Sequence, residues 1–324
     1  MVIETLESVF AQTLIHKLEI IIVDNASDDG SINTIEVKFG CFVIIVYSKI
    51  NLGFTGGNNL GFKCASGKYL LLLNNDAVVE PTWAEELLRP MELASDVGMC
   101  TSKILCYQDK KIIDNVGHKI YVDGLNRSRG HLEIDNGQYD QTEEVLFASG
   151  CAAAYRYDAV MVSGGFHEAF FAYGDDADLG LKLRLVGFRC LYIPTAKVYH
   201  RQSASTGPFS LQKLLWIERN RVWVMLRFLP VRWIIVSPIY TFLRLFLSWL
   251  AGLNRTGVAG RLTKHHSTLS IGFVLLKAWL AAVWQIPKMM KERHSLMANR
   301  KVTPKEWHAT LNRFRASIYE MSFK

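Results

Sequence analysis

Residues 68–76 read KYLLLLNND, four consecutive leucines closed by Asn74, Asn75 and Asp76. An apolar run this short that ends in side chains favouring turns is a buried strand running into a polar loop. The same pattern recurs upstream, in LEIIIVD at 18–24 followed by NASDDGS, and in CFVIIVY at 41–47. Helical stretches from Met1 to Gln12 and from Asn58 to Ala65 fall between the runs, so strands alternate with helices. That alternation predicts an α/β fold with a mostly parallel, Rossmann-like sheet. In such sheets ligands sit beyond the carboxyl ends of the strands, where Asp24 and Asp76 both stand.

Downstream, residues 107–145 are polar, bear Gly and Asp and are weakly periodic, which predicts loops with short strands laid over the sheet. Regular structure returns at 147–163 and 166–187. The spacing of Leu179, Leu181, Leu183 and Leu185 is ambiguous, but Asp175, Asp176 and Asp178 favour a helix start, because carboxylates stabilise its positive end. A further strand at 190–193 leads through Pro194 into VYHRQSAST.

The 324 residues are 50% apolar and 21% charged, with a mean hydropathy of +0.12, enough apolar surface to exclude disorder. The net charge of +7 hides an asymmetry. Residues 201–324 hold 20 Lys+Arg against 4 Asp+Glu, a net of +16, whereas residues 1–200 carry a net of −9. The boundary expected from this shift divides a catalytic domain at 1–208 from a basic, apolar helical region at 209–324. Its positive residues are interleaved with long apolar runs rich in Trp, Phe and Leu, which suits an anionic membrane surface and not nucleic acid. Residues 233–243 are apolar but short, and Arg244 interrupts before 245–253. Residues 269–286 are long enough to span a bilayer, but Lys277 at their centre costs about 2.5 to 3.5 kcal/mol. In-plane helices anchored by Trp and Arg are expected, with a weakly spanning hairpin as the alternative. The six cysteines are scattered, with no C-x-x-C pair and no His at zinc spacing, so reduced thiols are expected. The N-terminus carries no basic n-region and no apolar h-region, so the catalytic part is expected on the cytoplasmic side.

Several polar groups could carry chemistry. Asn74 and Asp76 form an N-x-D pair whose hard oxygens suit Mg²⁺ or Mn²⁺ bound with a diphosphate, or simply cap the strand as an Asx turn. Asp24, Asn25 and Ser27 could meet a nucleobase and ribose, or cap a helix. The glycines of NLGFTGGNNLG at 51–61, with Asn58 beside Gly56, could let backbone N–H groups approach a phosphate or sugar; GFTGGN is not the dinucleotide fingerprint G-x-G-x-x-G. In the Asp175, Asp176 and Asp178 cluster a carboxylate at a cleft edge could serve as a general base, or the group could cap a solvated helix. His200, followed by Ser203 and Ser205, could complete a metal site with Asp76.

As an ordered set these segments resemble the family 2 glycosyltransferases of the GT-A fold, especially their bacterial rhamnosyltransferase-like branch. The matching residues are LEIIIVDNASDDGS, NLGFTGGNNLGF, YLLLLNNDAVVEP, FASGCAAAYR, GGFHEAFFAYGDDADLGLKLRLVGF and VYHRQSAST, over about residues 4–207. The resemblance implies a metal-dependent, inverting glycosyltransferase in cell-surface polysaccharide synthesis, with membrane-associating helices at its C-terminal end. Its donor would be a nucleoside-diphosphate sugar, dTDP-rhamnose first and another UDP- or dTDP-sugar second, and its acceptor a glycan or lipid-linked glycan.

The implied roles fall on particular residues. Asp24 reads the base, with Asn25, Ser27, Gly56, Asn58 and Asn74 on the donor side. Asp76 and His200 hold the metal, and Asp176 is the catalytic base. Asp175, in place of the family's Glu, and Gly150 shape the acceptor side. His167 stands where an acidic residue is usual. The family opens with a strand and a Y-N turn before the helix that begins here at about Glu4, so that strand is expected to be missing, the true start lying upstream or the protein being shortened. The alternative function is an inactive, membrane-bound sugar-nucleotide-binding or scaffold protein.

Overall fold

The computed structural model describes residues 1–202, 210–253 and 262–323; Ser203, Ser205 and the expected boundary at 208/209 lie outside the described residues. The first half follows the expected alternation: α1 (Val2–Phe10), β1 (Ile21–Asn25), α2 (Ser31–Phe39), β2 (Ile44–Ser48), α3 (Gly53–Cys64) and β3 (Tyr69–Leu73). β4 (Ala77–Val79), α4 (Trp83–Leu93) and β5 (Val97–Cys106) follow. The polar stretch forms the short strands β6 (Ile113–Asn115), β7 (His118–Ile120), β8 (Asn126–Ser128) and β9 (Glu143–Val145). Next come β10 (Ala152–Arg156), α5 (Tyr157–Val162), α6 (Asp175–Leu185) and β11 (Arg189–His200). α3 starts five residues earlier than its apolar pattern suggested. β11 continues past Pro194, with a register irregularity between Ile193 and Lys197.

The α/β fold holds, but the sheet is mixed instead of mostly parallel. Its central order is β3-β10-β5-β11-β4, with β6 on β5 and β9 on β11. Only β5 and β11 run parallel within it; β10 runs antiparallel to both its neighbours, and β4 antiparallel to β11. A buried strand is a continuous apolar run in either direction, so composition could not distinguish the two. The leucines of β3 show its place between layers. Leu70 and Leu72 enter a core with Phe147, Tyr155 and Phe166, whereas Leu71 and Leu73 pack on the opposite cluster around Trp83 and Leu87. Alternate residues of a strand point to opposite faces, so one four-residue run serves two layers.

Among the described residues β1 and β2 form a separate parallel pair that shares no ladder with this sheet, and β3 has β10 on one side and no strand on the other. α3 links the two parts: Phe62 enters the core, and Ser66 after its end donates backbone N–H and hydroxyl hydrogen bonds to Glu19, just before β1, at 2.9 and 3.1 Å.

The C-terminal part comprises α7 (Leu211–Phe228), α8 (Val231–Leu253), α9 (Thr268–Trp284), α10 (Ile286–Ala298), α11 (Pro304–Arg313) and α12 (Ile318–Phe323). Trp223, Val224 and Phe228 of α7 and Trp307 and Leu311 of α11 enter the same core as Leu179, Leu181 and Leu183 of α6. The basic region is therefore packed into the α/β part and does not form a core of its own. α8 is one continuous helix through Pro238 and Arg244, and its segment Val231–Leu250, with mean hydropathy 1.5, is long and apolar enough to cross a membrane. α9 and α10 meet that test only together, across a 56° bend.

The polarity of α8 is inverted relative to a helix on a water-facing surface. Ser237 and Arg244 are buried, whereas Ile235, Ile239, Phe242, Phe246 and Trp249 are exposed, Ile235 by 72%. Arg244 does not interrupt the apolar run toward solvent. It turns inward to Asp123 at 2.8 Å and to both oxygens of Glu218 at 3.0 Å, while Arg221 reaches Glu218 at 2.6 Å. Four charges buried together satisfy one another and leave the outer face apolar.

Candidate active site

Two groups of polar side chains meet at the carboxyl ends of β3 and β11. The first is built by the antiparallel β4–β11 ladder, which sets His200 opposite Ala77 and so beside Asp76. His200 Nε2 lies 3.3 Å from Asp76 Oδ1, and its Nδ1 faces Asp114 Oδ2 at 2.7 Å. Asp114 Oδ1 is in turn 3.3 Å from His131 Nδ1 and accepts a hydrogen bond from Gln202 Nε2 at 2.6 Å. Burial opposes the charge on Asp114, but His131 and His200 hold its carboxyl well below the ordinary range. Burial also works against a charged His200, and the Cys151 sulfur and the Asp114 and Asp76 carboxylates outweigh it, raising the imidazole above its usual range.

Asp76 is buried, and its Oδ1 faces the His200 imidazole at 3.3 Å. A buried carboxylate oxygen beside an imidazole nitrogen is a donor set that suits a divalent cation once the imidazole gives up its proton. Among the described residues no three His, Cys, Asp or Glu side chains converge as metal ligands. Asp76 and His200 are a pair, and divalent ions that keep waters and take substrate phosphates need only one or two side chains. Asn74 is fixed through its backbone, its N–H bonded to the Cys151 carbonyl at 2.9 Å.

The second group surrounds α6. Gly174, in the left-handed region at φ 76°, starts the helix, and the three carboxylates of its first turn have different environments. Asp178 is fully buried between Lys182 at 2.7 Å and Arg227 at 2.9 Å and holds α6 to α7. Asp175 is buried, and burial, reinforced by the neighbouring Asp176, pushes its carboxyl well above the ordinary range. A Cβ on Gly150 would lie 3.7 Å from Asp175 Oδ2 and 3.1 Å from the Phe54 ring, so this glycine borders the site closely. Asp176 is partly exposed. Its Oδ1 accepts the Ala177 N–H at 2.8 Å and the Asn126 amide at 3.4 Å, and its Oδ2 lies 3.2 Å from His118 Nε2.

His118, Asn115 and Asn126 were not singled out from sequence, because they lie in the weakly periodic stretch where no pattern marks them. β6 joins the two groups, since Asp114 bonds His200 while the next residue, Asn115, bonds His118 at 2.9 Å. Burial lowers the pKa of His118, and its ring stacks on Phe147 at 5.0 Å. His167 is spent elsewhere, 3.1 Å from Glu292.

The residues expected on the donor side stand in two settings. Asp24 and Ser27 stand at the exposed end of β1, with Asp24 Oδ1 accepting the Ser27 N–H at 3.1 Å. Asn25 is occupied: its Oδ1 accepts the Leu52 N–H at 2.8 Å, and its amide donates to the Gly53 carbonyl at 3.0 Å and to Asn51 at 3.2 Å. Gly56 is buried, with its Cβ direction 2.7 Å from Leu52, and Asn58 donates back to the Phe54 carbonyl at 2.8 Å. Gly56 thus lets α3 close on Leu52, Asn58 bonds within the helix, and Thr55 and Asn59 reach the Glu168 and Phe166 carbonyls. Gly53 shows this most clearly: at φ +69° its Cβ would lie 2.5 Å from the Phe171 carbonyl oxygen. A Gly53→Ala chain is expected to lose at least about 1–3 kcal/mol from backbone strain alone, read as a lower urea midpoint; an unchanged midpoint would show that this contact yields.

Residues 1–163 match the model of glycosyl transferase family 2. The O-antigen biosynthesis protein RfbC of Myxococcus xanthus is 31% identical over 158 residues, 46% of this chain and 12% of that protein. The N-acetylglucosaminyl-diphospho-decaprenol L-rhamnosyltransferase of Mycobacterium tuberculosis is 41% identical over 63 residues, 19% of this chain and 20% of that protein. The matched segments thus span at most a fifth of the length of these two relatives. The crystal structure of GalNAc-T7 with UDP, GalNAc and Mn²⁺ superposes with a TM-score of 0.59 at 15% identity, over 95% of this chain and 53% of that one, a likeness of fold.

Proposed function

The chain belongs to glycosyl transferase family 2, and from that premise we propose that it transfers a sugar, rhamnose first among donors, from a nucleoside diphosphate to a hydroxyl acceptor with inversion. The observation that carries this is β6, whose consecutive residues Asp114 and Asn115 link the Asp76–His200 pair, by way of His118, to the Asp176 carboxylate. One group suits a diphosphate and its cation, the other a hydroxyl proton. In a single displacement the acceptor oxygen attacks the anomeric carbon as its proton passes to Asp176 Oδ2. The bond to the diphosphate breaks, and its electron pair leaves with that group. The buried Asp175 carboxyl beside Gly150 borders the acceptor side. Asp24 and Ser27 meet the nucleobase and ribose. Asp76 and His200 would hold Mg²⁺ or Mn²⁺, which supplies positive charge to the departing diphosphate.

The membrane reading rests on α8 and α9. Leu269, Phe273, Trp279 and Trp284 are exposed along α9 as Ile235, Phe242 and Trp249 are along α8, with Arg232 and Lys277 exposed among them. Apolar faces fringed by cations fit an anionic bilayer surface, which would bring the site to a lipid-linked acceptor. The mycobacterial relative's name places lipid-linked chemistry on that protein.

Calorimetry of dTDP and UDP on the detergent-stabilised chain, with and without Mn²⁺, tests the donor site. Binding that needs Mn²⁺ and is lost in Asp76→Ala is the expected result. Equal binding in that variant would remove Asp76 from the site, and absent binding of either nucleotide would favour a non-catalytic role.

A further inference from the structure

The immediate surroundings of His118 determine where its proton sits. Asn115 Oδ1 accepts the Gly117 N–H at 2.7 Å, which fixes the orientation of the amide. Its NH₂ group therefore faces the other way, toward Ser128 Oγ and His118 Nε2, both at 2.9 Å. With both amide hydrogens so placed, Nε2 must be the accepting nitrogen and the ring proton resides on Nδ1. Nδ1 is buried without a partner, an arrangement a folded chain retains only against some gain elsewhere.

The unprotonated Nε2 faces Asp176 Oδ2 at 3.2 Å, so two acceptors oppose each other with no hydrogen between them. The other oxygen, Oδ1, is already engaged by Ala177 and Asn126. We infer that His118 is a positioning residue for the base: its unprotonated Nε2 selects Oδ2 of Asp176 as the oxygen that takes the acceptor proton, and the lone pair that already takes an Asn115 N–H is then shared with that oxygen's hydrogen. The contact is unfavourable before proton transfer and favourable after it, so it lowers the barrier and not merely the energy of the bound state. The proton stays on Oδ2, shared toward Nε2, until product leaves and water removes it. Phe147 stacked on the ring, at an interplanar angle of 18°, holds the imidazole plane in place.

The inference rests on Asp176 being the base, so the experiment separates the two. Nitrogen NMR of the full chain labelled in histidine reads the tautomer without reference to activity: a His118 signal with Nδ1 protonated and Nε2 bare is expected, and Nε2–H would overturn the inference. In turnover assays His118→Phe keeps the stacked ring and removes the acceptor. kcat should fall about tenfold, the worth of one net hydrogen bond, with KM for the nucleotide sugar unchanged. His118→Gln, which can offer a carbonyl oxygen, should recover part of that loss. Full turnover of His118→Phe beside an inactive Asp176→Asn would overturn this inference alone. Full turnover of Asp176→Asn would overturn the base assignment and this inference with it.

Discussion

An Asp176→Asn chain is expected to turn over about 10²- to 10⁴-fold more slowly than the parent, the range that one positioned general base contributes. Its affinity for nucleotide should be unchanged, because the Asp76–His200 pair is untouched. The same substitution should leave stability equal or slightly higher. The asparagine oxygen can still accept the Ala177 N–H, and its NH₂ can share the Nε2 lone pair of His118 with Asn115, which removes the contact between two acceptors. A gain in stability with a loss of turnover is the mark of a residue kept in an unfavourable setting for its chemistry. Turnover and urea midpoint measured on one preparation give both readings. A variant that lost stability and activity in parallel would point to a structural role for Asp176 instead.

The groups legible in the sequence share one property: local pattern marks them. Asp76 closes a leucine run and Asp176 opens a helix with two other carboxylates, so each could be placed at an element's end from neighbouring residues alone. Nothing local distinguishes a glycine that meets a phosphate from one that meets a helix. The resemblance sets Gly56 on the donor side, while the fold turns its Cβ direction toward Leu52, as it turns that of Gly53 toward Phe171. His118 and Asn115 were invisible for a related reason. Their role depends on β6 and β7 crossing beside α6, and contacts between residues about 60 positions apart leave no periodic trace. Strand direction was misjudged because buried strands carry the same apolar runs whichever way they pair.

Arg244 is the other residue whose meaning depends on its surroundings, and its replacement should have the largest effect on stability. In sequence it is a charge that breaks an apolar run. In the fold it is buried among Asp123, Glu218 and Arg221. Arg244→Ala leaves Glu218 with Arg221 alone and deprives Asp123 of its close partner, so two buried carboxylates are under-compensated at once. Removing one member of a buried ionic group costs about 3–5 kcal/mol.

The pH dependence supplies a second reading. Burial alone would raise the Glu218 pKa, but Arg244 and Arg221 bring it down from 4.5 to about 2. A depressed carboxyl stabilises the fold fully above its unfolded value and loses that contribution as pH falls through the folded one. The parent should therefore hold this contribution above about pH 4.5 and lose it toward pH 2. In Arg244→Ala the Glu218 pKa should rise and the acid transition should begin at higher pH. The exposed Arg232→Ala is the control, expected to shift stability by less than about 0.5 kcal/mol.

The outer face of the same helix gives the contrast. Ile235→Asp, on the exposed stripe, should leave the detergent urea midpoint near that of the parent yet weaken binding to anionic vesicles. A loss below about 1 kcal/mol in Arg244→Ala would mean that water reaches the cluster. The inward charge would then not be what turns the apolar face of α8 outward.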